Sequence, residues 1–188
     1  VHPTRITLTA ASLLALGLTS CAAPGTPEPG PSPSTRTEAQ DPFHVDRPKN
    51  LAAATDPCQL LSAEQVGQLG AGAPSPGQSE WKQASCRWNN ELLSVNIAPD
   101  TVQGQGLRYA AKIYGDQDKP TAKVNGYPAL HIAQGEISCS TGVGVNDTQM
   151  FLVQLTVGTE GRGKPEFSDP CAVSDKIAGM VLENLPPA

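Results

Sequence analysis

The sequence predicts an α+β fold: an antiparallel sheet with helices mainly on one face, held by two disulfides. Three observations predict it. Short runs of alternating apolar residues are separated by turn residues, which implies hairpins and antiparallel pairing. Other segments carry apolar residues at helical spacing, and such amphipathic helices need a sheet face to cover. Four cysteines, Cys58, Cys86, Cys139 and Cys171, are spread through the same stretch.

The elements follow in order. Asp56-Pro57-Cys58 starts a helical turn, with Asp56 as cap and Pro57 where its missing N–H costs nothing. Ser62 and Gln65 form a capping-box pattern, with Leu61 and Val66 as its hydrophobic staple, so a helix runs to Leu69 and stops at Gly70. A Gly-, Pro- and Ser-rich loop comes next. A strand begins at Cys86-Arg87-Trp88, with Cys86 and Trp88 on one face, and Asn89-Asn90-Glu91 turns the chain. Leu93, Val95 and Ile97 alternate with Ser94 and Asn96, the pattern of a half-buried strand, and Pro99 ends it.

Leu107 to Tyr114 reads as a short helix, in which Ala110, Ile113 and Tyr114 can share a face with Leu107. Asn125-Gly126 between apolar runs is a hairpin turn. Pro128 is expected to place the strand that follows at an edge or a bulge. Residues 137–145, a turn at Asn146-Asp147 and residues 149–157 make a second hairpin, with Phe151, Val153, Leu155 and Val157 facing one way. The last helix starts at Asp169-Pro170-Cys171, repeating the opening Asp-Pro-Cys. Its stripe is Ile177, Ala178, Val181, Leu182 and Leu185. The expected order is helix, two strands, helix, four strands, helix.

Ahead of this domain, expected over residues 55–188, the chain changes character. Arg5 and the apolar run from Ile6 to Leu18 read as a signal peptide over residues 1–20, too short for a spanning helix, which needs roughly 20 apolar residues. The run ends at Leu18-Thr19-Ser20-Cys21, a lipobox-like pattern that makes Cys21 the expected lipidation site and membrane anchor. Residues 21–54 then read as the lipidated Cys and a disordered Pro/Ser/Gly-rich tether, because they hold too few apolar side chains to offset the entropy of ordering. The expected address is the extracytoplasmic face of a cell membrane.

The formal net charge is −5 and 16% of residues are charged, so there is no basic footprint for a nucleic-acid partner. With Cys21 set aside, an even number of cysteines in an exported chain reads as two disulfides. Zinc ligands come as close pairs, which these four are not. The expected pairing is Cys58–Cys86 and Cys139–Cys171. The hairpin after Cys139 goes out and returns, so a loop can lead from its end to the helix start that holds Cys171. The rival arrangement joins the helix starts, Cys58 to Cys171, and the strands, Cys86 to Cys139.

The two Asp-Pro-Cys helix starts, Cys86-x-Trp88, the Asn125-Gly126-Tyr127-Pro128-Ala129 turn, Cys139 before a strand and the Leu185-Pro186 ending occur in this order over Asp56 to Pro186. In this the chain resembles an actinobacterial lipoprotein family, domain of unknown function 3558. The resemblance implies a cell-envelope lipoprotein and carries no catalytic residue.

No constellation for chemistry stands out. His2 falls in the signal peptide, His44 in the tether, and His131 alone in or beside a strand. No serine sits in a nucleophile-elbow context. Gly142-Val143-Gly144 lies in a strand hairpin without the helix a phosphate cradle requires, and reads as strand packing or a bulge. Asp116 and Asp118 lack the order of a calcium loop. Glu64, Asp169 and Asp175 sit near helix starts, where the dipole favours acids. Trp81, Trp88, Tyr109, Tyr114 and Tyr127 could line a groove, although core packing is their default. The expectation is a binding or interaction module, not an enzyme, with no cofactor and no metal. Its partner would be an envelope protein, a glycan or a small ligand. The alternative is an exported enzyme, which a deep pocket joining His131 to carboxylates would favour.

Overall fold

A computed structural model describes residues 41–79, 82–115 and 119–188. The signal peptide, Cys21, the tether as far as residue 40, Trp81, Asp116 and Asp118 lie outside the described residues.

The described elements are α1 (Ala63–Leu69), β1 (Pro74–Gln78), β2 (Ala84–Asn89), β3 (Leu93–Pro99), α2 (Gly106–Tyr114), β4 (Ala122–Val124), β5 (Tyr127–Ile132), β6 (Ser138–Gly144), β7 (Met150–Val157) and α3 (Pro170–Asn184). The strands form one sheet in the order β1-β2-β3-β7-β6-β5-β4, antiparallel at every pairing. The β6–β7 hairpin thus inserts between β3 and β5, and α2 carries the chain across from β3 to β4. The fold is α+β, as the alternation patterns imply.

One sheet face holds the main core. Trp88, Val95, Ile97, Val143, Phe151 and Val153 point into it and are fully buried. α3 covers them with the expected stripe, in which Ile177, Ala178 and Val181 are inaccessible to solvent. Leu69 of α1 joins the same core. α2 lies on the opposite face, where Leu107, Ala110 and Ala111 pack on Leu130 and Met150. Helices are therefore mainly, not wholly, on one face.

Local signals place the ends. The Ser62 hydroxyl accepts from the Gln65 backbone N–H and the Gln65 side chain accepts from Ser62 N–H, completing the capping box, and Gly70 ends α1 in the left-handed region. Asp56 and Asp169 cap their turns by accepting from the N–H of Cys58 and Cys171. Asn125 and Gly126 both have positive φ, 49° and 87°, as a two-residue hairpin turn requires.

Each disulfide joins the first turn of a helical segment to a strand. Cys58–Cys86 and Cys139–Cys171 are bonded, with Cα separations of 4.9 and 5.0 Å. The rival pairing is excluded by register. Cys86 is on β2 and Cys139 on β6, with β3 and β7 between them. Three inter-strand spacings amount to about 14 Å, beyond the reach of a disulfide.

Four expectations change. First, the tether does not extend to residue 54. Residues 41–54 lie on the domain, with Phe43, Val45 and Leu51 buried. Lys49 pairs with Pro187 in an isolated bridge, Ala188 N–H donates to Pro48 O (3.0 Å), and Tyr127 Oη donates to Arg47 O (2.6 Å). Three well-spaced apolar side chains suffice because slots for them exist on the folded domain.

Second, the expected loop after α1 contains strand β1. All its residues are exposed and it sits at the sheet edge. Pro74 and Pro76 are two apart, so their missing N–H groups both fall on one side, the free one. Third, β5 is interior, not an edge. Pro128 is tolerated because its pairing with β6 begins only at Ala129↔Val143. Its partner across the β4 hairpin, Lys123, is the pair next to the hydrogen-bonded turn pair Val124↔Tyr127, where no ladder bond to Pro128 is called for. Fourth, Ile113 and Tyr114 do not share the buried face of α2 but are 52% and 47% exposed.

Candidate functional site

The site is built where α2 meets the sheet. Gly142 and Gly144 let the helix approach. A Cβ on Gly142 would lie 2.9 Å from Met150 Cε, and one on Gly144 would lie 3.1 Å from Leu107 Cβ. The Gly-Val-Gly segment is thus strand packing, and the helix seats directly on β6. α2 packs on β5 and β6 alone among the strands it contacts extensively, so the strip of sheet formed by Ala98, Ser140, Leu152 and Gln154 is left beside it.

That strip and the flank of α2 bound a cleft of about 340 Å³. Tyr109, Ala110, Ile113 and Tyr114 form the helix wall, and Met150, Leu152 and Ile132 the floor. Among the described residues the exposed large apolar side chains are Val102, Tyr109, Ile113 and Tyr114. Three of them line this cleft and Val102 lies in the loop that leads to α2. A solvent-facing apolar group concentrated on one rim makes this cleft the candidate binding surface.

Part of the lining is polar and buried. Gln83 is 5% exposed and Asp100 8%. Gln83 Nε2 donates to Asp100 Oδ1 at 2.6 Å, and the backbone N–H groups of Gln103 and Gly104 donate to the same oxygen at 3.0 and 3.3 Å. Ala133, where β5 ends, holds φ at 53° beside the cleft. For an alanine this left-handed conformation is strained by about 1–2 kcal/mol, and such strain concentrates at binding sites.

Of the five aromatic residues singled out as groove candidates, Tyr109 and Tyr114 line the cleft. Trp88 is buried in the main core, Tyr127 is buried with its hydroxyl on Arg47, and Trp81 lies outside the described residues. Gln83, Asp100 and Gln103 carry no motif. Asp100 follows the strand-ending Pro99.

His131 is not alone. Its Nε2 lies 2.9 and 3.0 Å from the two oxygens of Asp175, and the buried Thr141 hydroxyl donates to Asp175 Oδ1 at 2.8 Å. Asp175 thus bridges β5 and β6 to α3, a role beyond the helix dipole. The carboxylate occupies the middle of the set, whereas activation of a hydroxyl requires the imidazole there. None of the three lines the α2 cleft, since His131 and Thr141 face the side of the sheet that α3 covers and Asp175 belongs to α3. Among the described residues no cluster of three or more His, Cys, Asp or Glu could hold a metal ion, and no helix is long and apolar enough to cross a membrane.

Two larger depressions, about 460 Å³ between α1 and α3 and about 500 Å³ beside Pro187, are more open to solvent. Neither joins an exposed aromatic wall to a buried carboxylate.

A family model described as a protein of unknown function, DUF3558, matches residues 16–184. Neither a curated protein nor a solved structure matches the chain.

Proposed function

We propose, for a chain that belongs to the DUF3558 family of unknown function, a role as an exported, membrane-anchored lipoprotein that binds a small ligand at the cell envelope through the α2 cleft. The observation that carries the binding role is the concentration of exposed Tyr109, Ile113 and Tyr114 over a cleft whose lining includes buried Asp100. The anchor rests on the apolar run that ends at Leu18-Thr19-Ser20-Cys21. Dual acylation at Cys21 would satisfy the need for more than one chain for stable membrane binding. The two disulfides are in keeping with an oxidising compartment. The extracytoplasmic face and an actinobacterial source are part of this reading, as what the family resemblance implies.

Native mass spectrometry of the protein taken from its own membranes tests the binding role. The wild-type chain should carry a small-molecule adduct. Ser140→Trp, which fills the cleft from β6, should lack it while keeping its thermal midpoint. An adduct retained by Ser140→Trp places binding elsewhere, and no adduct on either overturns the role. The anchor is tested separately. Cys21→Ser should be released to the medium or stay as an unprocessed precursor, and a mature-size variant that remains in the membrane would refute anchoring at Cys21.

A further inference from the structure

We infer that the α2 cleft takes an amphiphile with a cationic head, an ammonium group seated against Asp100 with its apolar body along the tyrosine wall. The inference rests on the cleft being the binding site and adds the charge and shape of its ligand.

Asp100 lines the cleft and is 8% exposed. Its Oδ1 takes all three donors, Gln83 Nε2 and the N–H groups of Gln103 and Gly104. These bonds close the loop between β3 and α2, and an asparagine oxygen could accept the same three, though more weakly than a charged carboxylate. The loop can thus be closed by a neutral acceptor, and the charge of Asp100 is met inside the protein by N–H dipoles alone. Ion pairs among the described residues involve Asp41, Asp46 and Asp175, not Asp100. A carboxylate this buried is ordinarily matched by a cation.

Oδ2 has no donor from the described protein. No enclosed side-chain oxygen or nitrogen among the described residues lacks a partner, so Oδ2 keeps some access to solvent, and Asp100 is one of the residues that line the cleft. An ammonium donor arriving there would supply the missing countercharge. Among the described residues the lining contains no Lys or Arg, so an anionic head would meet Asp100 without a cation from them. Tyr109 and Ile113 offer an apolar wall to the body of the amphiphile, and Met150 and Leu152 offer an apolar floor.

Calorimetric titration in about 0.15 M salt, which screens non-specific attraction to the acidic chain, tests this with four probes. Octylammonium, octyl glucoside and octanoate share one tail, and ethylammonium has almost none. A charge-assisted bond adds about 1.5–3 kcal/mol, so octylammonium should bind roughly tenfold or more tighter than octyl glucoside, with octanoate and ethylammonium weaker still. Asp100→Asn keeps the loop acceptor and should stay folded, with a thermal midpoint lowered only modestly by the weaker neutral bonds. In that variant octylammonium should fall to the level of octyl glucoside. Ile113→Asp, at an exposed wall position, should weaken octyl glucoside. Equal binding of octanoate, or an unchanged preference in Asp100→Asn, overturns the cationic head and leaves the cleft standing. Ethylammonium binding as well as octylammonium overturns the amphiphile. No binding by any probe overturns this inference. If the native adduct is still lost in Ser140→Trp, the cleft itself stands.

Discussion

Asp41 shows how one side chain ties the segment ahead of Pro57 to the domain. Its carboxylate accepts from the Phe43 backbone N–H at 3.0 Å and pairs with Arg108 of α2, whose guanidinium also lies over the Phe43 ring, 4.6 Å from its centroid. The Phe43 N–H foremost, and then Arg108, hold the Asp41 carboxyl below its ordinary value of 3.8. A depressed folded value means that the contribution to stability is present above the unfolded value and lost as pH falls through the folded one. The thermal midpoint of wild type should therefore exceed that of Asp41→Asn at neutral pH. The gap should shrink as pH drops below 3.8. It should be small throughout, since both side chains are about half exposed. A gap that widens in acid would contradict the clamp. Gly144 makes the opposite case, where nothing must be added. Gly144→Val would press on Leu107, and overpacking of this kind costs about 1–3 kcal/mol. Urea unfolding should show that loss together with changed chemical shifts along α2. An unchanged midpoint would mean that α2 does not seat on β6.

At the scale of elements, β1 and the segment ahead of Pro57 carry the clearest consequences. β1 is an exposed edge in which Pro74 and Pro76 remove donors from the free side, a known defence against edge-to-edge pairing. The double substitution Pro74→Thr with Pro76→Thr should leave the monomer folded but produce concentration-dependent association in sedimentation. A variant that stays monomeric at all concentrations would show that the edge is protected in some other way. Residues 41–54 are an integral layer. Leu51 is fully buried, so Leu51→Ala should cost about 2–5 kcal/mol. A chain starting at Thr55 loses Phe43 and Val45 as well, and its thermal transition should fall well below that of a chain starting at residue 41. Equal midpoints would return this segment to the status of a tether. In sequence it is hard to read because a run with few apolar residues looks unable to offset its own ordering. The entropy argument holds for a segment alone, and fails when a preformed surface supplies the other half of each contact.

For the whole molecule, the two disulfides pin helical starts to β2 and β6 on either side of the sheet centre. They close loops of 28 and 32 residues, each worth about 3.5 kcal/mol in the chain-entropy picture. Reduction under native buffer should lower the denaturation midpoint sharply, and losing one bridge by Cys139→Ala with Cys171→Ala should remove roughly half of that effect. What the residues determined on their own was local. Caps at Asp56, Ser62 and Asp169, the Asn125-Gly126 turn and the alternation in β3 and β7 depend on neighbours within a few positions, so spacing reveals them. The stripe of α3 was legible for the same reason, because one helix face meets one sheet face. The fully exposed edge strand, the interior place of β5 and the cleft were decided by strand order, which no short-range pattern encodes. Asp100 carries no signal in the sequence, and only the fold brings Gln83 and α2 around it. Ile113 and Tyr114 read as core until the helix is seen to cover β5 and β6 and leave its flank over open sheet. Local chemistry sets the elements, since its interactions span one turn or one hairpin. The site is set by contacts between residues far apart in the chain, and only the packed sheet brings those together.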